Sequence, residues 1–372
     1  MDLGFNARLK ALFLQHKNTI MPETELFDAF NKLGKVLGAA AGRAVDISID
    51  NQIWVDEFAD LIQEAKHQNP WFVPDFVKAR FLSISDMLES EKLSNWMNNY
   101  AIPVKKPQTV LVVMAGNIPA VGFHDMLCVL VSGNRLLAKL SSDDGMLLPA
   151  MGRFLSENCP TLHDRISFTS ERVSGFDAVI ATGSNNTSRY FEYYFGRYPH
   201  IIRRNRNSMA ILTGSESDEE LKGIADDILL YFGRGCRSVS HLMVPAGYDF
   251  MNLFKAMNTF DWIRHHSKYI NNYDYQKAMV LVNSLAHFDS GYLIFRPERQ
   301  LMAAISVINY TEYTTLDESI AFVKENTDAL QCVVTSADVE VASVKPGQAQ
   351  QAGLWDYSDA IDTMEFLLNM KK

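Results

Sequence analysis
Cysteine is scarce in this chain, 4 in 372 residues, which excludes a disulfide framework as the source of its stability. Positive charge is not in excess. With 35 Lys and Arg against 44 Asp and Glu the net charge is −9, which argues against non-specific nucleic-acid binding. A long apolar run is also missing: the longest mostly apolar stretch, 109–123, is broken by Gly116, Asn117 and Pro119 and is too short to span a bilayer. The opening MDLGFNARLK has no charged head followed by an apolar run and a small-residue cleavage site, so no secretory signal and a cytoplasmic location are expected. There is no internal repeat, no low-complexity tract, no P-loop and no GxGxxG. HExxH and Cys/His clusters are absent too, and the adjacent His265 and His266 would point about 100° apart on a helix, so no metal site is expected. What is present is core-forming material. At 47 % hydrophobic and 21 % charged residues, the chain reads as globular, with two domains.

The first hundred residues carry the helical period. Apolar positions recur at that spacing over 6–16 and 25–37, and further helices are expected at 54–66, 74–89 and 85–99, the last two overlapping. No chemical motif lies there, so the segment reads as a helical cap or a lobe facing substrate. The pattern changes at Lys105. Residues 109–114 (TVLVVM) are a continuous β-branched and apolar run, as a strand buried on both faces requires. Strands are expected next at 135–140, 165–169, 178–182 and 208–212, separated by helices ending at 132 and spanning 146–158 and 187–196. Such alternation implies βαβ units and a parallel sheet with helices on both faces. The acidic run 215–220 (SESDEE) marks a helix entry, where negative charge suits the N-terminus. Strands at 241–244, 304–309 and 332–335 and a short helix at 361–370 complete the expectation, with 343–351 a loop.

Chemistry has few places to reside. Cys128 and Cys332 sit in apolar runs and read as small buried hydrophobes, and Cys159 has no evident partner. Cys236 differs, lying between Gly233, Gly235, Arg234 and Arg237, where glycines admit a ligand and cations would favour a thiolate. An unreactive thiol at a tight turn is the bland alternative. Asn117, in the loop after the first sheet strand, is placed to aim an amide N–H at an oxyanion or simply to close the turn. Thr182, Gly183 and Ser184, between a strand and a helix, suit a phosphate or an ordinary helix cap. His124 and Asp125 read as a helix start.

Taken in order, Asn117-Ile-Pro119, Gly133-Asn134, Lys139, Thr182-Gly183-Ser184 and Gly235-Cys236-Arg237-Ser238 resemble the aldehyde dehydrogenase superfamily. Within it, the chain resembles the LuxC-type acyl-CoA reductases over 109–244, and more loosely from 301 onward. The fold implied is α/β and aldehyde dehydrogenase-like: a Rossmann-type parallel sheet for the cofactor and a second α/β catalytic domain. On that basis the helical and NAD(P)-binding part covers 1–213, the catalytic domain 214–355 and a tail helix 356–372. The resemblance implies Cys236 as nucleophile and Asn117 as the amide completing the oxyanion hole. It also implies Lys139 at the adenosine ribose and Gly183 and Ser184, with Thr182, over the pyrophosphate. Glu298 is offered for the nicotinamide ribose, and the hydroxyl of Ser142 for a 2′-phosphate. The hydrolytic relatives' glutamate has no counterpart in 203–209 (RRNRNSM), whose arginines could meet phosphates or be surface charge.

The expected function follows from the resemblance. It is reduction of an acyl-CoA or acyl-protein thioester to an aldehyde with NADPH, NADH being the alternative, through an S-acyl cysteine. A CoA-acylating aldehyde dehydrogenase, a non-reducing acyl-transfer subunit and a non-catalytic partner are the rival readings. Neither nucleic acid nor a membrane span is expected, and a homo-oligomer or a fatty-acid reductase complex is the implied assembly.

Overall fold
The computed structural model describes residues 23–183 and 185–370; the helix expected at 6–16 and the side chain of Ser184 lie outside them. Among the described residues the first elements are the helices α1 (Glu23–Ala40), α2 (Ile49–Gln68), α3 (Pro74–Met87) and α4 (Ser90–Met97). Proline at the first position of α3 suits a helix start, because its missing N–H would be unpaired there anyway. Their apolar faces do not form a separate cap. Phe30, Phe58, Phe81 and Trp96 join one continuous core with Val110 and Val112 of the first sheet. Ring contacts such as Phe58 on Phe81 at 5.7 Å and Trp54 on Phe154 at 5.4 Å hold that core together.

The first sheet contains β1 (Thr109–Val113), β2 (Arg135–Lys139), β3 (Ile166–Thr169), β4 (Ala178–Thr182) and β5 (His200–Arg203), in the order β3-β2-β1-β4-β5. All its pairings are parallel. The chain builds outward from β1 in one direction, then returns to build outward in the other. That makes the gap between the carboxyl ends of β1 and β4 a topological switch point, where open α/β sheets bind ligands. Helices α5 (Phe123–Val131), α6 (Leu147–Asn158) and α7 (Asn185–Phe195) form the crossovers.

The second sheet has the order β11-β6-β7-β10-β9-β8, built from β6 (Asn207–Ile211), β7 (Val239–Pro245), β8 (Phe288–Asp289), β9 (Ile294–Pro297), β10 (Val307–Tyr313) and β11 (Leu330–Val334). Only the β8–β9 pairing is antiparallel. The strand expected at 208–212 therefore belongs to this sheet, and the change of sheet falls at 204–206, not at 213. Strands β5, β8 and β9 were not expected; each has at most four residues. Helix α8 (Asp218–Leu229) opens with a capping box in which Ser217 Oγ accepts from the Glu220 N–H and the Glu220 carboxylate accepts from the Ser217 N–H. The remaining helices are α9 (Met251–Ala256), α10 (Ser267–Val282), α11 (Leu316–Glu325) and α12 (Thr363–Asn369).

A buried ion pair ties the last strand of the first sheet to its first crossover helix and to α12. Arg203, the last residue of β5, makes two hydrogen bonds to Asp125 on α5, at 2.6 and 2.9 Å, and a third to Thr363 Oγ1 on α12 at 3.0 Å. Burial alone would lower the arginine pKa, but Asp125 more than offsets it and the value is raised. Arg204 pairs instead with Glu192 at 2.7 Å, and Arg206 with Asp359 at 3.1 Å. All three arginines of the 203–206 segment thus hold carboxylates of this chain, and neither the phosphate-contact nor the surface-charge reading survives for Arg203. Replacing it by Met (Arg203→Met) strands the Asp125 charge in the interior and should cost about 3–5 kcal/mol in urea unfolding. Adding Asp125→Leu should recover most of that loss, because the unpaired charge is then gone.

Candidate active site
Helix α8 ends at Leu229, and the chain then turns through three consecutive left-handed residues: Tyr231 (φ 57°), Phe232 (φ 57°) and Gly233 (φ 69°). Two of these are not glycine, so the turn is strained and must be held from outside. The holding groups are aromatic. Phe232 lies 4.8 Å from Phe76, 5.1 Å from Trp71 and 4.4 Å from His266, and Tyr231 lies 5.6 Å from Phe76. The turn leads to Cys236, which is exposed, whereas Cys128, Cys159 and Cys332 are all buried.

The backbone around the cysteine is pinned on both sides. Asn117 Nδ2 donates to the Arg234 carbonyl at 2.8 Å, and Ser208 Oγ donates to the Cys236 carbonyl at 2.9 Å. Ser238 Oγ accepts from the Gly235 N–H at 3.2 Å, and Gln350 Nε2 donates to Ser238 Oγ at 3.1 Å. Because an amide nitrogen carries two hydrogens, Asn117 keeps one N–H after bonding Arg234. The structure therefore brings together Asn117, from the exit of β1, and Cys236, from the entrance to β7.

Charge at the thiol departs from expectation. Burial pushes the Cys236 thiol up from its ordinary value, Arg237 pulls it down, and Asp359 pushes it up again. Cys236 is an exposed residue, but desolvation of its thiol outweighs the pull of Arg237. Arg234 does not help: its guanidinium is spent on the face of Trp71, 4.8 Å from the ring centre. The expectation of a lowered pKa is thus corrected. Arg237 is tethered through Nε to the Ala349 carbonyl. His124, half-buried in the first turn of α5, has Nε2 3.0 Å from the Leu354 carbonyl, and burial lowers its pKa.

The cofactor candidates collect at the switch point. Register places Lys139 of β2 and Ala181 of β4 on either side of Val113 of β1, so Lys139 and Thr182 flank the exit of β1 from both sides. Lys139 Nζ donates to the Ser170 and Glu171 carbonyls at 2.9 and 3.2 Å. A Cβ at Gly183 would come within 2.9 Å of Phe191, so only glycine lets the β4 exit pass this close to α7. Ser142 is exposed on the loop after β2. Of the two neighbouring acids, Asp143 is exposed, while Asp144 turns inward and accepts from the Ala120 N–H at 2.7 Å.

Glu298 is not at this site. It follows the carboxyl end of β9, and the pairing of Asn309 with both Arg296 and His241 sets it level with β7 beyond His241. Cys236 precedes the amino end of that same strand, so the two lie at opposite edges of the second sheet. Glu298 pairs with Arg296 at 2.8 Å. Its assignment to the nicotinamide ribose is therefore withdrawn. Asp359 is a residue the sequence did not single out: it lies on the tail before α12 with φ 60°, and its charge acts on Cys236. Nothing in its SDA context gives a signal.

Residues 83–254 match the family model described as acyl-CoA reductase (LuxC), a span that includes Asn117, Lys139 and Cys236. No curated protein matches the chain. Among solved structures, an acetylating aldehyde dehydrogenase from Geobacillus thermoglucosidasius is 10 % identical with a TM-score of 0.55, covering 86 % of this chain and 78 % of its own. An NAD+ complex of aldehyde dehydrogenase from Bacillus cereus is 13 % identical with a TM-score of 0.57, covering 86 % and 73 %. A variant of 1-pyrroline-5-carboxylate dehydrogenase from Thermus thermophilus is 11 % identical with a TM-score of 0.61, covering 96 % and 82 %. The fold is therefore that of the aldehyde dehydrogenases, and the family resemblance read from the sequence is borne out.

Since burial holds the Cys236 thiol protonated near neutrality, its alkylation by iodoacetamide should keep rising with pH past about 8.5, the value of a free cysteine. Cys236 should still react ahead of Cys128, Cys159 and Cys332, because only it is exposed. A rate that levels off below pH 8 would show that the cations win after all.

Proposed function
We propose that this chain, matched over 83–254 to the acyl-CoA reductases, reduces an acyl thioester to an aldehyde with a nicotinamide cofactor, Cys236 carrying the acyl group. The observation that carries the reading is the 2.8 Å hydrogen bond from Asn117 to Arg234, which couples the switch point of the dinucleotide-type sheet to the cysteine loop. The residues at that edge suit a dinucleotide. Lys139 offers a cation, the amino end of α7 stands beside Gly183, and the hydroxyl of Ser142 lies beyond. The NAD+ bound by the Bacillus cereus neighbour accords with this.

In the proposed reaction Cys236 Sγ bonds to the thioester carbonyl carbon, the carbon–sulfur bond to coenzyme A breaks, and coenzyme A leaves with the proton. A reduced nicotinamide supplies hydride. Asn117 Nδ2 and the Cys236 N–H stabilise the negative oxygen during acyl transfer and again when the S-acyl carbon is reduced. Collapse of the thiohemiacetal releases aldehyde and leaves a thiolate, which a proton from solvent returns to the free thiol. The acetylating neighbour from Geobacillus accords with the same residues serving the reverse, oxidative direction.

Incubation with acyl-CoA and no nicotinamide should add one acyl mass to Cys236, removable by hydroxylamine and absent in Cys236→Ala. Asn117→Ala should lower kcat by roughly a hundredfold with a melting temperature near that of wild type. A parallel fall in activity and melting temperature would instead make Asn117 a structural residue. With Asp144 turned inward, NADPH should give the higher kcat/KM, and equal or better values with NADH would contradict the role given to Ser142.

A further inference from the structure
Helix α3 belongs to the helical lobe, for which the sequence offered no chemistry, yet it touches both halves of the candidate site. Phe76 and Arg80 are four residues apart and so share one face of the helix. Phe76 packs on Tyr231 and Phe232, the left-handed pair that launches the cysteine loop. One turn further on, Arg80 donates through a terminal guanidinium nitrogen to the Ala120 carbonyl at 3.3 Å.

Ala120 is itself strained. It closes the loop after Asn117 with φ 45°, a left-handed conformation in a residue with a side chain, and it is wholly buried. Both sides of its backbone are gripped by buried charge. Asp144 accepts from its N–H at 2.7 Å, and Arg80 donates to its carbonyl. Arg80 is 8 % exposed and Asp144 2 %. Each also leaves an atom unpartnered in the interior, Arg80 Nε and Asp144 Oδ1. A fold seeking stability alone would not bury two imperfectly satisfied charges on a three-residue stretch of loop. Their geometry instead fixes where Ile118 and Pro119 run, and hence where Asn117 points.

We propose that Arg80 and Asp144 are positioning residues that lock Ala120 in its left-handed conformation and thereby hold the Asn117 amide on the cysteine loop, with α3 setting both turns from one face. The inference rests on the reading of Asn117 as an oxyanion donor. It assigns no contact with substrate to either residue.

The test measures two rates on the whole protein without nicotinamide: S-acylation of Cys236 by acyl-CoA, which needs the oxyanion donors, and its alkylation by iodoacetamide, which does not. Arg80→Met should slow acylation by about ten- to a hundredfold while alkylation stays within about twofold of wild type. Arg80→Lys, which keeps a donor for the Ala120 carbonyl, should lose less. Combining Arg80→Met with Asn117→Ala should be no slower than Asn117→Ala alone, since the first change acts through the second residue. If Arg80→Met does not fold, Asp144→Asn reads the same pair of rates and the same cycle. Wild-type acylation in these variants, additive losses, or equal losses in both rates would overturn the proposal. A wild-type protein that takes no acyl group at all overturns the function reading, and the proposal with it.

Discussion
The buried contact between Arg203 and Asp125 is the constraint around which the rest is arranged. A charge taken out of water is tolerated only if it is paired and hydrogen-bonded, so the three elements that meet there have little freedom. Arg203 ends the first sheet just before the chain crosses to the second. Asp125 stands in the first turn of α5, immediately after the loop that carries Asn117. Thr363 opens α12, which returns the chain's end to the first sheet. The same tail is tied down by the Tyr357 hydroxyl, bonded by Trp96 at 2.9 Å and Tyr100 at 2.6 Å, and by Asp362, which accepts from Tyr100. Helical lobe, first sheet and tail are thus held together.

What could be read from the sequence was what local pattern encodes. The run TVLVVM announces β1 because a strand covered by helices on both faces has no polar side, and Val110 to Val112 are all buried. Gly233 and Gly183 were visible as glycines, and each has a geometric need for being one. Arg203 was not legible: RRNRN looks like solvated charge, and only the pairing of distant helices reveals that its first member is in the interior. Arg80 and Asp144 were hidden for the same reason, being charged residues on a helix and in a loop that ordinarily face water. Glu298 misled because a carboxylate near the end of a strand has the right chemistry but sat at the wrong edge, which only strand register can tell.

The cysteine shows how composition and environment can disagree. Two arginines beside a thiol suggest a thiolate, but charge acts through geometry, and one guanidinium is stacked on Trp71 while the other bonds the Ala349 carbonyl. Around the sulfur the low polarisability of packed protein opposes ionisation more than Arg237 favours it. The resting state is therefore the thiol.

On the proposed reading, the fate of an acyl group on Cys236 follows from where the carboxylates are. Hydrolysis needs a base that can take a proton from water at the acyl carbonyl, and the segment 203–209 supplies arginines, asparagines, serine and methionine only. Asp359 is the carboxylate whose charge the thiol senses, but its Oδ1 is already held by Arg206 at 3.1 Å, and that arginine is also fixed to the Leu330 carbonyl. A carboxylate paired in this way helps hold the tail in place. On the proposed reading, the pairing of Asp359 with Arg206 draws that carboxylate away from water activation and leaves reduction or return to a thiol as the routes from a Cys236 acyl group.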